Sequence, residues 1–127
     1  MAITFVEVKV SNPAKAKKAK KHEFLVDSGA FYTVMPAEDL KALGIRASRE
    51  KTFLLANGER VTKPVGNALF EYQGEVAGAP VVFGEKGVYL LGATTLEALG
   101  FILDPIKREL KPAPLVMMGY PRGLRQY

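Results

Sequence analysis

The chain has 127 residues, enough to bury about 65% of its unfolded surface and so to build one core but not two, and one folded domain is expected. Its hydrophobic residues fall in short runs broken by 12 Gly and 8 Pro, a composition that argues for a mainly β globular fold, and no run nears the roughly 18 apolar residues that cross a bilayer. With no Cys and a single His, the chain lacks disulfides, a thiol nucleophile, a His-based triad and a multi-His metal centre; neither metal nor cofactor is expected, and any chemistry falls to carboxylates.

Residues 3–10 alternate in polarity as a half-buried strand does. The opening Met1-Ala2-Ile3-Thr4-Phe5-Val6 has no basic lead and is followed by Glu7 and Lys9, so it reads as a strand rather than a signal peptide, and a cytoplasmic location is expected. The net charge of +5 resides in the next segment, where Lys15, Lys17, Lys18, Lys20 and Lys21 occur with no acidic residue between Ser11 and His22. Set those five aside from the 18 Lys and Arg, and the remaining 13 balance the 13 Asp and Glu. A solvated loop or hairpin tip is expected there. A nucleic-acid-binding patch is the weaker reading, because no aromatic side chain interleaves the lysines for base stacking.

Glu23-Phe24-Leu25-Val26 then forms a short apolar strand that runs straight into Asp27-Ser28-Gly29-Ala30, so a strand delivers an aspartate into a tight turn. Residues 33–35 look extended, and residues 36–43 look like a short helix with Pro36 in its first turn and Gly44 just past its end. Two strand-like runs, 51–55 and 60–64, flank Ala56-Asn57-Gly58-Glu59, and Asn-Gly in that setting signals a projecting hairpin. Further strands are expected at 68–72 and 75–83, separated by Gln73-Gly74, and at 88–91, ending at Gly92. Residues 94–99 form a second helix, with Thr94 and Glu97 spaced as a capping box and Gly100 as its stop. Phe101-Ile102-Leu103 is the last core strand, closed by Asp104-Pro105. From residue 111 the chain is Pro-rich and free of acidic residues, so the domain is set at 1–110 and residues 111–127 at a tail or interface arm.

Other polar candidates have plain readings. Asp104 suits a turn, Glu38 and Asp39 complement a helix dipole, and His22 suits a strand edge. Phe31, Tyr32, Leu54, Leu55 and Val88 are core by default, with some of them available to line a substrate pocket.

Phe24-Leu25-Val26-Asp27-Ser28-Gly29-Ala30 resembles the apolar-apolar-Asp-Ser/Thr-Gly-Ala signature of aspartic proteases. Leu90-Leu91-Gly92, followed by a helix through Leu96 and Leu99, resembles the second signature of retropepsins, the single-domain retroviral-type members. Asp-Ser-Gly alone also makes an ordinary turn. The ordered set of triplet, Asn-Gly hairpin, apolar-apolar-Gly and helix is far more specific, and it covers residues 6–104.

The resemblance implies a closed β-barrel of the acid-protease fold, a homodimer with its active site on the two-fold axis, and a peptide or protein substrate. Peptide hydrolysis without metal or covalent intermediate needs one carboxylate to take a proton from water and one carboxylic acid to protonate the carbonyl oxygen. Two carboxyl groups sharing a site split their titrations and hold one proton between them. The chain offers one suitable aspartate, Asp27, so its partner is Asp27 of a second copy. By the same resemblance Ser28 braces the two loops across the axis, Gly29 lets the backbone turn, and Ala30 keeps the site small. Leu54, Leu55, Ala56, Asn57, Gly58 and Glu59 form the flap, and Leu90, Leu91 and Gly92 pass beneath the Asp27 loop.

The chain also departs from the viral pattern. Phe31 and Ala93 stand where viral members commonly carry an acidic residue and an Arg, and Ala56-Asn57-Gly58 replaces a Gly-Gly flap tip. In both respects it is more similar to cellular and prokaryotic retropepsin-like proteins. Two other functions compete: a catalytically inactive dimer of the same fold that binds peptides or partner proteins, and a nucleic-acid binder using the lysine segment.

Overall fold

The computed structural model describes residues 3–114. In chain order these form β1 (Phe5–Asn12), β2 (Lys15–Val26), β3 (Thr33–Pro36), α1 (Ala37–Ala42), β4 (Arg49–Leu54), β5 (Arg60–Tyr72), β6 (Glu75–Gly84), β7 (Leu90–Leu91), α2 (Ala93–Leu99), β8 (Phe101–Asp104) and β9 (Glu109–Pro112). Seven strands form one sheet in the order β1-β2-β7-β3-β6-β5-β4, and pairing of β1 with β5 closes it into a barrel. β8 and β9 make a separate hairpin. The expected mainly β, closed-barrel architecture with two short helices is therefore what the chain adopts. Among the described residues no helix is long and apolar enough to cross a membrane.

Alternation along the strands fills the barrel. Val8 and Val10 of β1, Phe24 and Val26 of β2, Phe70 of β5 and Val81 of β6 point inward, and Leu40 of α1 with Leu96 and Leu99 of α2 complete the same core. Burying one such side chain stabilises the fold by about 1.5–3 kcal/mol, so it is this stripe that sets the strand register.

Several elements differ from the expectations above, each for a tertiary reason. The lysines are solvated at the protruding end of the β1–β2 hairpin, as expected of a hairpin tip, but on strand and not in a loop: β2 begins at Lys15 and pairs with β1 through Val10↔Lys20 and Lys9↔Lys21, leaving only Pro13 and Ala14 in the turn. Pairing with β1 at Ala19, Lys20 and Lys21 organises this strand without apolar alternation of its own, and the register shifts between Ser11 and Asn12, where Ala16, Lys17 and Lys18 have no partner on β1. The runs at 60–64 and 68–72 are one continuous strand, β5. β7 has two residues, Leu90 and Leu91, because its neighbours β2 and β3 pair with it only there. β9 carries Lys111 and Pro112 into the folded body, opposite Ile102 and Phe101, so the boundary after residue 110 falls inside a strand. The rest of the expected tail, from residue 115, lies outside the described residues.

α1 is as expected, with Pro36 at its N-cap and Gly44 left-handed at its exit (φ 75°). α2 ends at left-handed Gly100, also as expected, but it begins at Ala93 with Gly92 as N-cap and no side-chain cap. The Thr94/Glu97 capping box does not form. The amides of Ala93 and Thr94 instead donate to the carbonyls of Ala30 and Phe31 at 2.8 and 3.0 Å, so the loop after Asp27 caps the helix.

Candidate active site

Asp27 stands directly after the last residue of β2, and three backbone bonds fix that exit. Leu25 N–H donates to the Tyr89 carbonyl at 3.0 Å, Val26 N–H to Thr4 at 2.8 Å, and Asp27 N–H to Leu91 at 3.0 Å. The chain then turns sharply: Ala30 N–H reaches back to the Asp27 carbonyl at 3.1 Å, and Gly29 N–H donates to Asp27 Oδ1 at 3.0 Å. Asp27 is half-buried, and Ser28 and Gly29 are exposed beside it. The Asp27 side chain is thus oriented by its own loop and open to solvent on one side.

Behind the loop the second motif passes in close contact. A Cβ on Gly92 would lie 2.5 Å from the Tyr32 carbonyl carbon and 2.6 Å from its oxygen, so only glycine fits. Gly92 N–H donates to Thr33 Oγ1 at 3.0 Å, and Thr33 Oγ1 shares a 2.6 Å hydrogen bond with Thr95 Oγ1. Both threonines are fully buried. This pair ties β3 to α2 beneath Asp27, and sequence reasoning missed it. The available signal was a polar side chain inside Tyr32-Thr33-Val34-Met35, an otherwise apolar run, together with a second threonine just after Gly92.

In front of the loop lies a groove of about 490 Å³. Gly29 and Ala30 line it together with Leu54 and Leu55 at the end of β4, so the end of the Asp27 loop and the base of the hairpin meet there, whereas Asp27, Ser28 and the hairpin residues 56–59 do not line it. Phe31, Tyr32 and Val88 line it too. The default core reading fails for Phe31, Leu54 and Leu55, which are 68%, 70% and 43% exposed. Their apolar surface is spent on the groove instead: Phe31 stacks on Tyr32 with ring centroids 5.3 Å apart, and Tyr32 meets Phe53 edge-on at 5.9 Å.

The hairpin of β4 and β5 turns through Leu55, Ala56, Asn57, Gly58 and Glu59, all exposed. Gly58 N–H bonds the Leu55 carbonyl at 2.9 Å, and Leu55 N–H bonds the Glu59 carbonyl at 2.7 Å. Asn57 accepts from Glu59 N–H at 2.9 Å and donates to Glu59 Oε1 at 2.8 Å. Of Asn57 and Gly58 only the glycine has positive φ (88°), which fits a turn closed by a left-handed residue rather than the two-residue type I′ loop. The type I′ loop occurs at Gln73 and Gly74, where φ is 49° and 82°.

The other two aspartates are engaged elsewhere. Asp39 of α1 accepts from the Tyr89 hydroxyl, and this bond, aided by burial and the nearby negative charges, pushes the Tyr89 pKa up to about 12. His22 stacks on the same tyrosine with centroids 5.0 Å apart, and burial holds its pKa below the usual histidine range. Asp104 accepts from the Lys107 and Ile106 amides at 3.1 and 3.0 Å, bonds that hold its pKa below the usual carboxylate range and make it the turn residue expected. Among the described residues no three His, Asp or Glu side chains gather as metal ligands.

A family model for aspartyl proteases matches residues 6–95, a span that takes in the Asp27 loop, the hairpin and Gly92. The solution structure of simian foamy virus (mac) protease is similar over 74% of this chain and 92% of that one, with a TM-score of 0.54 and 21% identity. EIAV protease, complexed with the inhibitor HBY-793, is similar over 91% of this chain and 93% of that one, with a TM-score of 0.59 and 17% identity. At such identities the likeness speaks to fold. No curated protein matches the chain by sequence. The family match spans well over half of the chain: the chain belongs to the aspartyl protease family, and it has the fold of the retroviral, retropepsin-type members.

Proposed function

We propose that the chain is one subunit of a homodimeric aspartic endopeptidase, which hydrolyses peptide bonds with a water held between Asp27 and Asp27 of a second copy. The observation that carries this is the division among three aspartates: Asp39 and Asp104 are bonded within the fold, and Asp27 alone sits on a loop bordering the apolar groove. One such loop supplies one carboxyl group, and the chemistry needs two in opposite protonation states. Exposed Ser28 sits next to Asp27, where it can meet a second copy across the axis.

In this reading the ionised Asp27 takes a proton from water as the water oxygen bonds to the scissile carbonyl carbon. The protonated Asp27 of the other copy gives its proton to the carbonyl oxygen. Breakdown of the resulting diol returns a proton to the amide nitrogen, the C–N bond breaks, and acid and amine leave. The groove selects an extended peptide with apolar side chains, through Phe31, Tyr32, Phe53 and Leu54. The hairpin closes over it and excludes water.

Asp27→Asn keeps the shape and removes the proton exchange, so peptide cleavage falls at least about 100-fold while far-ultraviolet circular dichroism stays unchanged. Excess Asp27→Asn subunits added to wild type suppress its activity, because each mixed dimer has one usable carboxyl group. Full activity in Asp27→Asn, or a specific activity that does not fall on dilution, overturns the proposal. Wild type that binds peptides and never cuts them establishes the inactive binding dimer instead.

A further inference from the structure

We propose that a cationic groove beside α1 binds an acidic stretch of the substrate polypeptide, beyond the residues held at the Asp27 groove. This rests on the peptidase reading and names the class of substrate it serves. The groove, of about 840 Å³, lies between the β1–β2 turn and the loop after α1. Lys15, Lys41 and Arg46 line it, with Asn12, Ser48 and Asn67, and no carboxylate does. Lys18 reaches the same place, its Cδ lying 3.7 Å from where a Cβ on Gly44 would stand. Among the described residues the ion pairs are Lys21 with Glu7 and Lys111 with Asp104, so the groove cations have no carboxylate at salt-bridge distance.

The cations come from separate elements, and a built contact brings them together. Asn12 is buried; its Nδ2 donates to the Leu43 carbonyl at 2.9 Å and its Oδ1 accepts from Ala14 N–H at 2.8 Å. That side chain pins the turn leading to Lys15 against the end of α1, next to Lys41. Holding like charges together without counter-charges is unfavourable in the free protein and is relieved by an anionic partner.

Continuity with the reaction site points to the substrate as that partner. Lys41 also lines a shallow depression of about 310 Å³ with Gly84, Lys86 and Glu38, and Gly84 borders the Asp27 groove as well. A polypeptide leaving the Asp27 groove at Gly84 therefore crosses Lys86 and Lys41 to reach Arg46 and Lys15, passing Glu85 at the groove's edge and Glu38 in the depression. No aromatic side chain lines the cationic groove, which favours peptide carboxylates over nucleic-acid bases.

The test compares two peptides with the same apolar cleavage segment, one carrying an extension of about ten residues rich in Glu, a length that spans about 33 Å. At low salt the extension lowers KM roughly ten-fold with little change in kcat, and the advantage fades at about 0.5 M salt. In Lys15→Glu/Lys41→Glu/Arg46→Glu the ratio of the two KM values falls to about one, and the Gln versions give an intermediate ratio. No advantage in wild type, or one that survives in the triple variant, overturns the proposal. If wild type cuts neither peptide, the peptidase reading fails separately, and anisotropy of a labelled Glu-rich peptide decides the groove. Binding that weakens about ten-fold in the triple variant then supports it, and equal binding overturns it. An oligonucleotide that binds this groove more tightly than the acidic peptide also overturns it.

Discussion

The Asp27 loop is held by bonds that span long stretches of chain: Asp27 to Leu91, Ala93 to Ala30, Gly92 to Thr33, and Thr33 to Thr95. The hairpin tip across the groove is bonded only within residues 55–59, and every one of its side chains is exposed. Protein segments open locally at a free energy set by what they share with the rest of the fold. The Asp27 loop shares a core, and it can move only if β7 and α2 move with it. The hairpin tip shares nothing and can open alone. In the proposed enzyme, a firmly held Asp27 keeps the reacting group in place while a hairpin free to open admits the polypeptide.

The comparison is broken most severely at Gly92. In Gly92→Ala the new methyl would lie 2.5–2.6 Å from the Tyr32 carbonyl, and main chain cannot yield as a flexible side chain does. Stability to urea should fall by about 3 kcal/mol or more, with peptide cleavage lost in parallel. A variant within about 0.5 kcal/mol of wild type would show that the loop and β7 are not rigidly packed.

Thr33→Val comes next. The shape is nearly kept, but Gly92 N–H and the Thr95 hydroxyl lose their buried partner. The expected loss is about 2 kcal/mol. Adding Thr95→Val should cost little more, because the second hydroxyl is then no longer stranded. Additive losses in that double-mutant cycle would mean that the two threonines act separately.

The same contrast explains what could be read from the chain alone. Asp27-Ser28-Gly29 and the Asn57-Gly58 hairpin carry their geometry locally, in residue types that few other conformations want, and so they were visible. Gly92 was visible through its neighbours Leu90 and Leu91. The Thr33–Thr95 bond joins residues 62 apart, and a threonine inside an apolar run signals a buried hydroxyl without naming its partner. The start of α2 was misplaced for the same reason: its caps are carbonyls from the Asp27 loop, and Thr94 and Glu97 merely share the spacing of a capping box. Lys15 to Lys21 and the β9 residues Lys111 and Pro112 become strand through their partners rather than their own pattern. Phe31, Leu54 and Leu55 are exposed against a core expectation because hydrophobicity alone does not distinguish an interior from a groove.

Gly58 tests the other side of the comparison with the smallest expected change in stability. Its φ of 88° disfavours a β-branched side chain by about 1–2 kcal/mol, yet nothing lies within 4 Å of the Cβ a substitution would add. The only penalty of Gly58→Val is therefore backbone strain, and a tip with no outside bonds can relax most of it by rearranging. Global stability should fall by no more than about 1 kcal/mol, well below the Gly92 and Thr33 variants. Turnover should suffer more than stability: a rearranged tip no longer closes in register over the peptide, and kcat/KM should drop about ten-fold or more while Asp27 stays in place. Unchanged turnover would show that this hairpin does not cover the substrate. A stability loss as large as that of Thr33→Val would show that the tip is coupled to the core after all, and the contrast between anchored loop and free hairpin would not hold.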